Sequence, residues 1–289
     1  MAQELIGVTG VTGEVGGRVA RRLAASGTAQ RLIVRDRSKA PDLGAEVAEA
    51  SDYGDFESFR SAVEGVDTLF LVSGREHPER LRQHLTAVDA AVAAGVNRIV
   101  YLSALRAAED ATFTLARQHF ATEQHIRATS LPFTFLRNSL YLDFIPWLAT
   151  PEGVIAGPAG RGRLAPVSRD DIADVAAAVL ATREHDGQVF ELTGPETMDF
   201  YEIAGELSRV SGRTVTYKDE TLEEAWASRR PSGHPDWEIE GWVTSYLALK
   251  NGEADLVTDT VPRVAGHPAQ SLPEFLEKNP DSYRHLLTG

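Results

Sequence analysis

The residues of this chain with the plainest chemical purpose are glycines. Thr9-Gly10-Val11-Thr12-Gly13-Glu14-Val15-Gly16 follows a short apolar run, Leu5 to Val8, and leads into a segment where Val19, Leu23 and Ala24 recur at helical spacing. A strand, a turn and a helix with glycine at these three positions suit a pyrophosphate. Gly10 allows the tight turn, Gly13 lets backbone N–H groups approach the phosphates, and Gly16 lets the helix pack closely on the strand. The helix N-terminus adds partial positive charge. A P-loop is excluded, since the chain has no Gly-Lys pair.

A second group of residues stands where the second strand ends. In dinucleotide-binding folds a carboxylate at that point favours NAD, and an arginine accommodates the 2′-phosphate of NADP. Arg35 occupies it, with Arg37 and Lys39 in the same loop. Guanidinium geometry suits a dianionic phosphate, so the sequence predicts NADPH over NADH. Asp36 is the dissenting residue: pointed into the pocket, it makes the preference mixed.

Proton donors are scarcer. Ordinary short-chain dehydrogenases use a tyrosine as proton donor and a lysine four residues later that lowers its pKa. The chain has four lysines, Lys39, Lys218, Lys250 and Lys278, and only Tyr246 with Lys250 fits the spacing, far beyond the sixth strand. That pair reads as a coincidence on a surface helix. After the fifth strand, His119 and Glu123 occupy the four-residue spacing instead. A histidine can donate a proton or bond to an acceptor oxygen, which makes His119 the catalytic candidate. Hydride delivery to a simple ketone creates a basic alkoxide and needs a well-placed acid, whereas a quinone gives a weakly basic aromatic anion and a cationic dye needs no proton at the carbon attacked. Loss of the Tyr/Lys pair therefore fits conjugated, electron-poor acceptors stacked against a nicotinamide, and fits equally a protein that performs no chemistry. Phe120, Tyr141, Phe144 and Trp147 are candidates for the stacking wall. No Gly-x-Ser-x-Gly elbow or His-Glu-x-x-His motif is present. The scattered histidines make a metal site improbable, and flavin is not expected.

Elements that position these residues alternate along the chain. Apolar runs at Leu5–Val8, Arg31–Val34, Glu46–Ala50, Thr68–Val72, Arg98–Leu102 and Phe133–Leu136 read as strands with helices between them, the pattern of a parallel sheet covered on both faces. In the fourth gap Pro78 can open a helix with Leu81, Leu85, Val88 and Val92 on one face, and Gly95 can end it. After residue 150 come Gly/Pro-rich connections, Pro151-Glu152-Gly153 and Gly157-Pro158-Ala159-Gly160. A helix follows, with Ser168 and Asp171 resembling a capping box, then a strand at Gln188–Leu192, a helix opened by Asp199 and Glu202, and a strand at Thr214–Tyr217. The expected architecture is α/β: a Rossmann-type doubly wound parallel sheet over 1–150 and a smaller C-terminal α/β domain over 151–289, some of whose segments can return to the Rossmann sheet.

Composition narrows the partners. Among 289 residues, 29 Lys and Arg stand against 42 Asp and Glu, a net charge of −13, which argues against nucleic acid and anionic membranes. Arginine pairs such as Arg161/Arg163 and Arg229/Arg230 read as solvated loops. The absence of cysteine removes disulfides, thiolate nucleophiles and cysteine-bound metals. With no leader-like N-terminus and no long apolar run, the expected location is the cytoplasm.

Val8-Thr9-Gly10-Val11-Thr12-Gly13, Val34-Arg35, Asp52-Tyr53-Gly54-Asp55 and Leu136-Arg137-Asn138 together resemble the NmrA-like branch of the atypical short-chain dehydrogenases/reductases. Gly187 to Gly194 and Gly266-His267-Pro268 extend the likeness almost to the C-terminus. Within the branch the chain is most similar to bacterial NAD(P)H:quinone oxidoreductases, with triphenylmethane reductases close by. The resemblance implies an NADPH-binding Rossmann domain, a small C-terminal domain and a substrate cleft between them. Thr12, Gly13, Glu14 and Val15 would wrap the pyrophosphate, Asp52 and Tyr53 border the adenine, Val72, Ser73 and Gly74 line the cofactor's middle, and Ser103 and Asn138 lie toward the nicotinamide. The leading expectation is a reductase of quinones or similar small molecules acting by direct hydride transfer. The alternatives are an NADP(H)-binding redox sensor with a protein partner, and a reductase or isomerase of secondary metabolism. A homodimer is compatible with either class.

Overall fold

The computed structural model describes residues 4–287. The chain begins in β1 (Ile6–Val8), passes through α1 (Glu14–Ala25) to β2 (Gln30–Val34) and reaches the sheet edge at β3 (Glu46–Glu49). It then crosses back by α2 (Phe56–Val63) to β4 (Thr68–Val72), and continues through α3 (Arg80–Ala93), β5 (Arg98–Ala104), α4 (Thr114–Ala128) and β6 (Phe133–Asn138). β7 (Val154–Gly157) leaves this layer; α5 (Arg169–Leu180) and β8 (Gln188–Leu192) rejoin it. The sheet order is β3-β2-β1-β4-β5-β6-β8, and every pairing is parallel. Strands buried on both faces carry continuous apolar sequence, as Thr68-Leu69-Phe70-Leu71-Val72 does.

α1 and α5 cover one face through Val15, Val19, Leu23, Ile172, Val175 and Val179. α2, α3 and α4 cover the other through Phe59, Val63, Val88, Ala91 and Ile126. The strand order reverses between β1 and β4, which opens a crevice at the carboxyl ends of these strands. Beside the sheet, β7 pairs in parallel with β9 (Thr216–Asp219). Around that pair lie α6 (Phe200–Ser211), α7 (Leu222–Arg229), α8 (Asp236–Lys250) and α9 (Leu272–Lys278), over a core that includes Phe200, Ile203, Leu207 and Leu276.

Four local expectations are corrected. β7 forms between the two Gly/Pro-rich connections, where no strand was assigned, because Val-Ile-Ala-Gly is short and its partner lies about sixty residues away. The last strand sits at 216–219 rather than 214–217, since its register follows β7. Ser168 does accept the Asp171 N–H, but the Asp171 carboxylate accepts from the Gln270 N–H at 2.9 Å instead of closing a capping box. Of the arginine pairs, Arg161 and Arg230 are exposed as expected, whereas Arg229 is largely buried and bonds Glu220 at 2.8 Å.

Candidate active site

Gly10 takes φ +64°, and a Cβ there would lie 3.0 Å from Val72. A Cβ on Gly16 would meet the Gly10 and Thr9 carbonyl oxygens at 2.4 and 2.5 Å, which is why α1 can start so close to β1. Gly13 is the N-cap of α1 and supplies no side-chain cap, leaving the helix N-terminus open to an anion. Glu14 turns away, pairing with Arg18. Thr9 staples the turn to the neighbouring strand: its hydroxyl donates to the Phe70 carbonyl at 3.0 Å and accepts from the Val72 N–H at 2.8 Å.

At the end of β2 the Arg35 side chain is exposed. Asp36 faces its own loop: Oδ1 accepts from the Ser38 N–H at 3.0 Å and the Ser38 hydroxyl at 2.7 Å, while Oδ2 lies 3.5 Å from Lys39 Nζ. These bonds hold its carboxyl below its ordinary pKa. Its charge is thus engaged, although Lys39 is shared with it. Asp52 accepts the Gly54 N–H in a turn, and the Tyr53 hydroxyl donates to the Val72 carbonyl at 2.8 Å. Burial pushes the Tyr53 phenol up to about 12, so it stays a neutral donor.

The ends of β5 and β6 carry Ser103 and Asn138, both buried. The Ser103 hydroxyl donates to Glu123 Oε1 at 2.6 Å, and Arg137 holds the same carboxylate through Nε at 2.8 Å and Nη2 at 2.6 Å. Asn138 Nδ2 donates to the Ser103 carbonyl at 3.4 Å, while Oδ1 is buried without a partner. An orphaned amide oxygen of this kind matches a carboxamide N–H, so the residues present fit a nicotinamide.

His119 is buried among protein groups. Its Nε2 lies 2.8 Å from Arg80 Nη2 and its Nδ1 2.9 Å from the Tyr101 hydroxyl. A guanidinium only donates, so Nε2 accepts and the proton sits on Nδ1. Burial, reinforced by the Arg80 charge, holds His119 well below its ordinary pKa. Phe120 and Tyr141 are half-buried, with Arg169 5.0 Å over the Tyr141 ring. Phe144 is exposed, and Trp147, 61% exposed, stacks on His285 at 4.7 Å. Tyr246 packs on Phe200 at 5.3 Å in the smaller layer, away from the crevice. Beside the start of α1, Glu14, Asp143 and Arg169 face Lys278 and Asp281 across a cleft of about 340 Å³.

Sequence reasoning passed over Arg80, His84 and Tyr101, since no motif marks a buried polar residue whose partners lie on other elements, and it placed Arg137 in a motif without giving it a role. Outside the crevice, Asp171, Asp174 and His267 place one ligand-type atom each within 4.8 Å of one another, but Asp174 is already paired with Arg22 at 2.6 Å.

Parallel sheet, switch point and uncapped glycine turn together define a Rossmann-type dinucleotide-binding protein. A family model described as NAD(P)H-binding matches residues 10–183, and the chain belongs to that family. Quinone oxidoreductase 2 of Escherichia coli is 34% identical, over 93% of this chain and 96% of its own. The structure of the NADPH-dependent quinone oxidoreductase of E. coli with NADPH superposes with a TM-score of 0.87 at 33% identity, covering 94% of this chain and 99% of the other. Citrobacter sp. triphenylmethane reductase with NADP(H) gives 0.84 at 35% identity, covering 94% and 99%. The protein is an NADP(H)-binding oxidoreductase, as its motifs led us to expect. No helix among the described residues is long and apolar enough to cross a membrane.

Proposed function

We propose that this oxidoreductase reduces quinones or similarly flat, conjugated acceptors with NADPH, in the cytoplasm and without flavin or metal. The observation that carries the reading is the fate of the two positions where short-chain dehydrogenases keep tyrosine and lysine. His119 and Glu123 fill them, and both are buried and tied to Arg80, Tyr101, Ser103 and Arg137. An acid of that kind is not free to protonate an alkoxide, whereas a quinone accepts hydride and needs only a solvent proton to become the hydroquinone.

When bound, NADPH would supply a hydride, which carries both electrons of the reduction. The chain's own residues bind and orient. The α1 N-terminus and Gly13 would receive the pyrophosphate, Arg35 with Lys39 the 2′-phosphate, and Asn138 Oδ1, buried without a partner, would accept from the carboxamide. Asp52 and Tyr53 border the adenine, and Val72, Ser73 and Gly74 line the centre. Tyr141, its phenol kept neutral by burial, forms a wall for the acceptor together with Phe120. Phe144 and Trp147 extend this wall toward solvent. We assign His119 a positioning role rather than that of proton donor.

The test is loss of NADPH absorbance with a panel of quinones and cationic dyes, against NADH controls. Acceptor-dependent, NADPH-preferring turnover supports the reading; tight NADPH binding with no turnover across the panel replaces it with the sensor.

A further inference from the structure

The peptide groups of Gly74 are gripped from both sides by one helix. The Gly74 N–H donates to His84 Nε2 at 2.8 Å, and the Gly74 carbonyl accepts from Arg80 Nε at 2.9 Å. Arg80 and His84 stand one turn apart on α3, 3% and 0% exposed. Burying a guanidinium without a carboxylate is costly. Yet among the described residues no carboxylate pairs with Arg80, whose other nitrogens reach Gln118 Oε1 at 3.1 Å and His119 Nε2 at 2.8 Å. Every tautomer in this cluster is forced. Since the Gly74 N–H can only donate, His84 carries its proton on Nδ1, within 3.2 Å of the Thr122 hydroxyl and 3.3 Å of Tyr101. Burial presses His84 down to about 3, so it stays neutral.

Gly74 lies just beyond β4, at the switch point. Two residues earlier, Val72 is fixed equally firmly by the Thr9 and Tyr53 hydroxyls. Ser73, half-buried between the two anchors, makes no hydrogen bond to another described residue. A rigid frame around a residue with unspent donors and acceptors is a geometry for a ligand.

We propose that Arg80 and His84 are positioning residues that clamp Gly74, and so present Ser73 to the ribose and nicotinamide half of NADPH. This rests on the reading of the crevice as the NADPH site. The clamp acts on one half of the cofactor, so it is tested by comparing NADPH with 2′,5′-ADP, which carries only the adenosine phosphates. In His84→Leu and Arg80→Met, NADPH affinity should fall about tenfold while 2′,5′-ADP affinity stays within about twofold. His84→Gln, whose amide oxygen can stand at the Nε2 position, should restore NADPH binding. Arg80→Lys, which keeps the charge but loses the fork, should not. Should Arg80→Met fail to fold, Gly74→Ala perturbs the same peptide from the loop side, with a Cβ 3.3 Å from His84 Nε2, and must show the same selective loss. Parallel weakening of both ligands, or unchanged NADPH affinity, overturns the clamp. Absence of turnover in the unaltered protein sinks the reductase reading alone, because the two affinities still decide this one.

Discussion

On the proposed reading cofactor choice turns on Arg35, because Asp36, the natural competitor for a ribose, spends its carboxylate on Ser38 and Lys39. Removing the guanidinium takes away a charge-assisted partner of the 2′-phosphate alone. Arg35→Ala should therefore raise the KM for NADPH by about tenfold or more and leave that for NADH nearly unchanged; equal changes would remove Arg35 from the phosphate. Glu123 belongs to a different kind of argument. Fully buried and held by Arg137 and Ser103, it cannot be deleted without leaving Arg137 only the longer contact to Glu191, at 3.7 Å. Glu123→Ala should lower unfolding free energy by about 3–5 kcal/mol, read in denaturant titrations. A cost below about 1 kcal/mol would mean that Glu191 and solvent satisfy Arg137 in its place. The spacing of His119 and Glu123 was visible in the sequence. Their partners were not, since Arg80, Ser103 and Arg137 come from a helix and two strand ends that only the fold brings together.

Among the elements, α3 shows how far hydrophobic pattern reaches. Its apolar residues pointed to Leu81, Leu85, Val88 and Val92 as the inward face, yet the structure buries Arg80, His84, Ala87, Val88 and Ala91 and leaves Val92 41% exposed. The helix also begins at Arg80 rather than at Pro78. Apolar spacing counts buried polar groups as outward-facing, so a helix whose task is to satisfy a loop is read rotated. The glycine turn, by contrast, was fully legible, because backbone proximity leaves glycine no substitute. Gly16→Ala forces a Cβ against two carbonyl oxygens and should cost about 1–3 kcal/mol together with most cofactor affinity. α3 also makes a pH prediction. His84 is neutral when folded down to about pH 3, but unfolded it binds a proton below its ordinary 6.5. Between those values the unfolded state holds more protons, so stability falls as pH drops through that window. The melting temperature should decline on acidification from pH 7 to 4, and less steeply in His84→Gln; identical slopes would show that His84 is not the group responsible.

For the whole molecule, the parallel sheet covered on both faces could be anticipated from alternation alone, and so could a smaller α/β region, while the strand pairing inside that region could not. β7 and β9 are short and distant in sequence, and their pairing is decided by α6 and α8 packing behind them rather than by any local signal. A crevice formed at the switch point of one cooperative sheet should couple cofactor binding to global unfolding. NADPH at a hundred times its Kd should add about 2.7 kcal/mol to stability, seen as a melting rise of roughly 5 °C or more; NADH at the same concentration should add much less.

The buried, fully engaged pair at positions 119 and 123 has one more consequence, in the language of driving force. A reductase with a strong built-in acid can pull unfavourable acceptors forward by protonating the product as it forms. Without one, the barrier tracks the acceptor's own reduction potential, so that log kcat/KM should rise steadily along a series of substituted quinones of matched shape. Such a protein selects its substrates electrochemically, by which molecules are eager enough for a hydride, and only secondarily by which ones fit.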